Sequence, residues 1–207
     1  MSVSLFLVSL SAVFFVVDPI GVVPIFLAMT SGDSHAKMRG MAGRACLMGG
    51  LLLTFFALFG GFVFKVLGVS LSAFRVAGGI LLLITALDML RARTSETKST
   101  PGETEEGAHK DDIAIVPLAV PLLAGPGSIA TVMVLMAKGN TVLAAIPVLV
   151  SIAITFLASF FILNGAIYVH KVLKASGVAI LQRVMGLILA SIAVQFMAEG
   201  GKGLFQR

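Results

Sequence analysis

Charge is what this sequence has least of. Only 12% of its 207 residues are Asp, Glu, Lys or Arg, whereas 58% are hydrophobic and the mean hydropathy is +1.06. A soluble domain has no room to hide that much apolar surface, so the ordinary globular classes are excluded and a polytopic membrane protein is expected. Cysteine is nearly missing too. Cys46 stands alone inside an apolar run, which excludes an intrachain disulfide and a thiolate metal cluster. The three histidines, His35, His109 and His170, fall outside the apolar spans or at their edges. Gly125-Pro126-Gly127-Ser128-Ile129 is not a Gly-x-Ser-x-Gly nucleophile elbow, so no enzyme is expected. The N-terminus shows neither a basic n-region nor a small-residue cleavage pattern, and the first apolar run is read as retained.

What the chain does contain is six apolar stretches, each near the ~20 residues a bilayer needs. They run about Ser4–Thr30, Cys46–Phe64, Leu71–Leu90, Ile113–Ala137, Val142–Leu163 and Val178–Ala198. The connections are short and polar except for residues 92–112, where runs such as Ser95-Glu96-Thr97-Lys98 and Glu103-Thr104-Glu105-Glu106 predict a flexible linker. Residues 1–91 and 113–207 then form two halves of three spans each, within one membrane domain. Ten of the 15 Lys and Arg residues, among them Lys37, Arg39, Arg44, Lys171 and Lys174, collect on one side of the membrane. That bias predicts a cytoplasmic linker with both termini on the opposite side. It also accounts for the net charge of +5 through topology and anionic lipid, without nucleic acid as a partner.

The halves resemble one another. At one constant offset, Arg75, Val76, Gly78, Ile80 and Leu81 fall on Arg183, Val184, Gly186, Ile188 and Leu189. At an offset one position shorter, Asp18-Pro19-Ile20-Gly21 falls on Gly125-Pro126-Gly127-Ser128. Three spans is an odd number, so the second half enters the membrane with opposite polarity. The expected fold is all-α, with six transmembrane helices arranged as two inverted-topology three-helix repeats.

The first helix of each repeat is expected to break at mid-membrane. Between Leu5 and Met29 the only ionisable side chain is Asp18. Pro19 cannot donate to the helical ladder, and a residue that precedes proline is pushed out of helical dihedrals. Pro24 loosens the restarted helix. Counted from the ends of their stretches, Asp18 and Gly125 lie about 18–21 Å deep at 1.5 Å per residue, near the centre of a ~30 Å core. Either residue can cap a new helix, with Pro19 or Pro126 at its first position.

Free amides at a helix start suit an anion, and free carbonyls at a helix end suit a cation. Asp18 already places a carboxylate at the first break, whereas Gly125, Pro126, Gly127 and Ser128 leave the second bare. A substrate carboxylate is therefore expected against Gly127 and Ser128, with its ammonium, or a coupling proton or Na⁺, at Asp18. Gln195 lies at similar depth and is either part of the site wall or polar glue between helices. An intramembrane acid is functional by default, and the plainer role for Asp18 is that of an N-cap alone. The candidate binding residues are thus Asp18, Pro19, Gly21, Pro24, Gly125, Pro126, Gly127, Ser128 and Gln195, with no catalytic residue, metal ligand or cofactor.

Three runs resemble the signatures of the MarC family: Asp18-Pro19-Ile20-Gly21-x-x-Pro24-Ile25-Phe26, Pro117-Leu118-Ala119-Val120-Pro121-Leu122-Leu123-Ala124-Gly125-Pro126-Gly127, and Arg183-Val184-Met185-Gly186-Leu187-Ile188-Leu189-Ala190. The resemblance implies a bacterial or archaeal inner-membrane protein of transporter type, related to amino-acid exporters, with a small neutral amino acid as leading substrate. Val22 departs from the Asn that such relatives commonly carry one turn into the restarted helix. The partners expected are a small solute, the lipid bilayer and a second copy of the chain. The alternative is a membrane scaffold that moves no solute, or, as the resemblance also implies, a family member linked to a drug-resistance phenotype without amino-acid transport.

Overall fold

The computed structural model describes residues 3–91, 114–137 and 142–205. Among them every regular element is a helix: α1 (Val3–Val17), α2 (Pro19–Met29), α3 (His35–Leu67), α4 (Leu71–Leu90), α5 (Ala114–Leu123), α6 (Pro126–Ala137), α7 (Val142–Asn164) and α8 (Ala166–Phe205). Five stretches are long and apolar enough to cross a bilayer: Leu5–Met29, His35–Phe62, Leu71–Leu90, Ala145–Asn164 and Ala166–Phe205. The fourth apolar stretch is divided at Gly125 into α5 and α6. The expected linker at 92–112 lies outside the described residues.

Local chemistry sets the boundaries. The Ser70 hydroxyl accepts from the Ala73 amide at 3.1 Å and starts α4, and Ser34 does the same for Lys37 at the start of α3. Gly32 (φ 91°) and Gly68 (φ 68°) reverse the chain on either side of α3 with a backbone that side chains rarely tolerate. Pro117 and Pro121 withdraw two amides from α5, which is wound wider than an α-helix; Ala124 N–H reaches back five residues to Ala119 O at 2.9 Å.

Two helices differ from the sequence expectation. α3 has 33 residues, about 50 Å at 1.5 Å each, and begins well before Cys46 because the Ser34 cap and the exposed Asp33–Lys37 pair (2.8 Å) let a polar first turn form. α8 runs on both sides of the expected Val178–Ala198 span and is broken at Lys174, whose backbone is left-handed (φ 55°, ψ 176°).

Packing runs mainly between the first four helices and the last four. α4 lies along α8, α3 along α7, and each pair is antiparallel. Going up α4, Gly79 faces Ala193 and Met197, and later Ala86, Met89 and Leu90 face Gly186. On α3 and α7, Gly43 meets Phe160 and Gly49 meets Phe156. Among the remaining contacts, α1 rests on α7 and α5 on α3, and α2 rests on α8 and α6 on α4, while α1 also touches α8 and α7 touches α6 and α8. Gly79 of α4 and Gly186 of α8 thus make closely similar approaches to the opposite helix, and they are as far apart in sequence as Asp18 and Gly125.

The core has two parts. One joins α1–α3 to α5–α7 around Phe26, Leu53, Leu118, Leu122 and Ile152, and the other joins α4, α6 and α8 around Leu82, Ala86, Leu189 and Phe196. Outside them, Leu47, Leu51, Phe55, Phe62, Leu157, Phe161, Val184, Leu187 and Val194 are exposed. A belt of that size on α3, α7 and α8 is a lipid-facing surface.

Candidate helix-break site

Asp18 holds the first break. Its backbone is left-handed (φ 53°, ψ 58°), a conformation Asp tolerates better than most residues, and Pro19 opens α2 behind it. The side chain is buried, and Oδ1 accepts from the Gly21 amide at 3.0 Å. Val22 N–H reaches the Asp18 carbonyl at 3.2 Å, and the Val22 side chain is buried. The carboxylate thus occupies one of the free amides that a helix start leaves. Pro19 and Gly21 are buried beside it, while Pro24 is half-buried farther along α2.

Gly21 is where α8 enters the site. A Cβ there would collide with Asp18 Oδ2 and lie 2.7 Å from Gln182 Nε2, so the carboxylate and the Gln182 amide converge on one bare Cα. Only glycine leaves that space. Gln182 was not among the residues expected from the sequence. Gln195, which was, sits on the exposed face of α8 and donates to Glu199 Oε1 at 3.0 Å, a neighbour one turn away on its own helix. The structure therefore brings Gln182 to Asp18 in the place foreseen for Gln195. The two lie 13 residues apart along α8, about 20 Å at 1.5 Å per residue, so depth counted from the sequence missed the level at which α8 meets Asp18.

The second break faces the first. A Cβ on Gly127 would stand 3.7 Å from Val16 Cγ1, two residues before Asp18, and 3.8 Å from Thr85 Oγ1 of α4. Gly125 and Ser128 are buried, Gly127 is half-buried and Pro126 is exposed. Ile129 N–H reaches Gly125 O at 3.1 Å, so Gly125 opens α6. The Ser128 hydroxyl donates to Leu123 O at 3.3 Å, satisfying a carbonyl that the end of α5 leaves free. Its proton points at protein, not at an open anion pocket. Thr131 and Thr85 likewise donate to Gly127 O and Leu81 O on their own helices. No group of three His, Cys, Asp or Glu side chains gathers among the described residues.

A family model described as MarC family integral membrane protein matches residues 3–205. The chain belongs to the MarC family. Its curated relatives include UPF0056 membrane protein MJ1677 of Methanocaldococcus jannaschii, 40% identical over 98% of both chains. UPF0056 membrane protein YvbG of Bacillus subtilis is 36% identical over 94% of this chain and 92% of its own. UPF0056 membrane protein YhcE of Escherichia coli is 32% identical over 93% and 89%. No solved structure matches. The Asp-Pro and Gly-Pro breaks thus lie in a MarC protein whose multi-pass membrane character rests on both the family and the helices.

Proposed function

We propose that this MarC protein is a secondary transporter of small zwitterions, small neutral amino acids first, working by alternating access around the two helix breaks. The observation that carries the reading is the meeting of Gly127 with Val16, which sets the start of α6 against the end of α1 next to a buried carboxylate. Broken helices that meet inside a bundle are where transporters bind substrate, because freed amides and carbonyls replace water around a charged group. Asp18 takes the ammonium, or a coupling proton or Na⁺, and the amides of Gly127 and Ser128 take the carboxylate. To bind it, Ser128 turns its hydroxyl away from Leu123 O.

The architecture behind this reading is six spans in two inverted repeats. Its support is the matched packing of α1–α4 with α5–α8 and the antiparallel course of α4 against α8 and of α3 against α7. A single offset, the one that carries Asp18 onto Gly125, also relates the glycine contacts of the two halves. Location in a bacterial inner membrane, with periplasmic termini, completes the proposal.

A scaffold reading has one observation of its own, the Asp18–Gly21 hydrogen bond, which gives the acid a purely structural task. Asp18→Asn separates the two, since Asn caps a helix as well as Asp does but carries no charge. In proteoliposomes given labelled amino acids under imposed proton and Na⁺ gradients, wild type is expected to show uptake or counterflow and Asp18→Asn to lose it while staying folded. No flux of any solute under any gradient decides for the scaffold.

A further inference from the structure

Far from both breaks, the first turns of α3 and the junction of α7 with α8 line an open cavity of about 690 Å³. His35 and Arg39 line it from α3, Asn164 and Gly165 from the junction, and Tyr168 and Lys171 from α8. Two fixed cations face into it and no carboxylate lines it. The acid nearest in sequence, Asp33, is engaged by Lys37 at 2.8 Å. A cavity of that size falls within the range that holds a small organic ligand, about 300–1,000 Å³.

Its level relative to a bilayer follows from the helices that build it. α3 is about 50 Å long at 1.5 Å per residue, against a hydrocarbon core of ~30 Å, so its His35 end rises into the head-group layer. The left-handed backbone at Lys174 separates the opening turns of α8 from the rest of that helix. Those turns expose Ile167, Tyr168 and Val172 beside His170, Lys171 and Lys174. Apolar and aromatic side chains mixed with cations make a segment that lies in a membrane interface.

We propose that this cavity binds the phosphate head group of an anionic phospholipid. The Arg39 guanidinium and the Lys171 ammonium supply the charge for a phosphodiester, which Arg can grip through two N–H groups. The Asn164 amide and Tyr168 hydroxyl are at hand for the hydroxyls of a glycerol head group. Ile167 and Val172 offer the adjacent acyl chains an apolar track. A zwitterionic head group brings a third cation to a site that already holds two, and a free phosphate uses none of the apolar track.

Native mass spectrometry of the full chain released from detergent, with phosphatidylglycerol or phosphatidylcholine added, tests this. Wild type is expected to retain phosphatidylglycerol over phosphatidylcholine, and Arg39→Gln with Lys171→Gln is expected to weaken that retention about tenfold or more. Lys202→Gln, an exposed cation elsewhere, is expected to leave it unchanged. Equal retention by the double variant, equal retention of the two lipids, or displacement of lipid by millimolar inorganic phosphate overturns the proposal. If the double variant does not fold, Lys171→Gln alone is expected to weaken retention and Lys171→Arg to restore it; no loss in Lys171→Gln again overturns it.

Discussion

Gly49 of α3 and Phe156 of α7 pack on each other, the ring carbon Cε1 lying 2.6 Å from where a Gly49 Cβ would stand. The offset that carries Asp18 onto Gly125 also carries Gly49 onto Phe156, so on the proposed repeat each is the other's counterpart. A two-fold axis exchanging the halves would pass between them. The ring fills the space that the glycine leaves, and two identical residues would not serve at that point on the axis.

The same geometry makes some glycines indispensable and others free. A Cβ at Gly186 would stand 3.0 Å from Ala86 O and 3.1 Å from Leu90 N, which are backbone atoms and cannot rotate aside, whereas a Cβ at Gly61 meets nothing within 4 Å. Gly186→Ala is therefore expected to destabilise by about 1–3 kcal/mol and Gly61→Ala to be nearly neutral. Thermal unfolding in detergent, followed by circular dichroism, separates the two. Equal melting temperatures would remove the close approach of α4 and α8.

At the first break, charge and capping can be pulled apart. Asp18→Ala loses the acceptor for Gly21 N–H and is expected to cost about 1 kcal/mol, within the range for a lost N-cap, whereas Asp18→Asn is expected to lie within a few tenths of wild type. Both are expected to abolish solute flux. Flux that survives in Asp18→Asn would leave the carboxylate with capping alone.

Gly21→Ala asks about space instead of charge. The added methyl collides with Asp18 Oδ2 and crowds Gln182 Nε2, so the carboxylate must turn off the Gly21 amide or α8 must withdraw. Flux is expected to fall together with stability, the latter by about 1–3 kcal/mol. Gln182→Ala in the same background is expected to recover part of the stability by vacating one side of the clash. If Gly21→Ala behaves as wild type in both assays, α2 and α8 are not in contact at this level.

Sidedness can be read from one engineered thiol. Tyr168 is 72% exposed and Cys46, the sole native cysteine, is buried. Tyr168→Cys in a Cys46→Ala background is expected to react with a membrane-impermeant maleimide in inverted vesicles and not in intact spheroplasts. The opposite pattern would reverse the orientation read from Lys and Arg.

Much of this was legible in the sequence, and the failures have physical causes. Asp18-Pro19 and Gly125-Pro126 announced both breaks because the residue before proline is turned away from helical dihedrals and proline fits a first helical turn, whereas Pro24 and Pro147 stay inside α2 and α7. The extent of α3 was hidden because its first turn is polar and held by Ser34 and the Asp33–Lys37 pair, so hydropathy stopped at Cys46. Gln195 and Gln182 are both amides on one long helix, and choosing between them requires the axial level and the rotation at which α8 packs on α4, set by Gly186 and Gly200 of α8 and by Gly79 of α4. Gly78 and Gly79 are adjacent in sequence, and only the packing shows that the first faces Ala130 of α6 and the second faces α8.

Because α3 finds α7, α4 finds α8, and α1 and α2 also rest on α7 and α8, the first four helices bury little against one another. During synthesis they must therefore wait in lipid, inserted but unassembled, until the second half leaves the ribosome. Completion of the bundle is in effect a meeting of two parts already in the bilayer, closer to subunit assembly than to the folding of one chain. A chain cut between residues 92 and 113 and supplied as two polypeptides should still come together, and neither piece should survive proteolysis without the other.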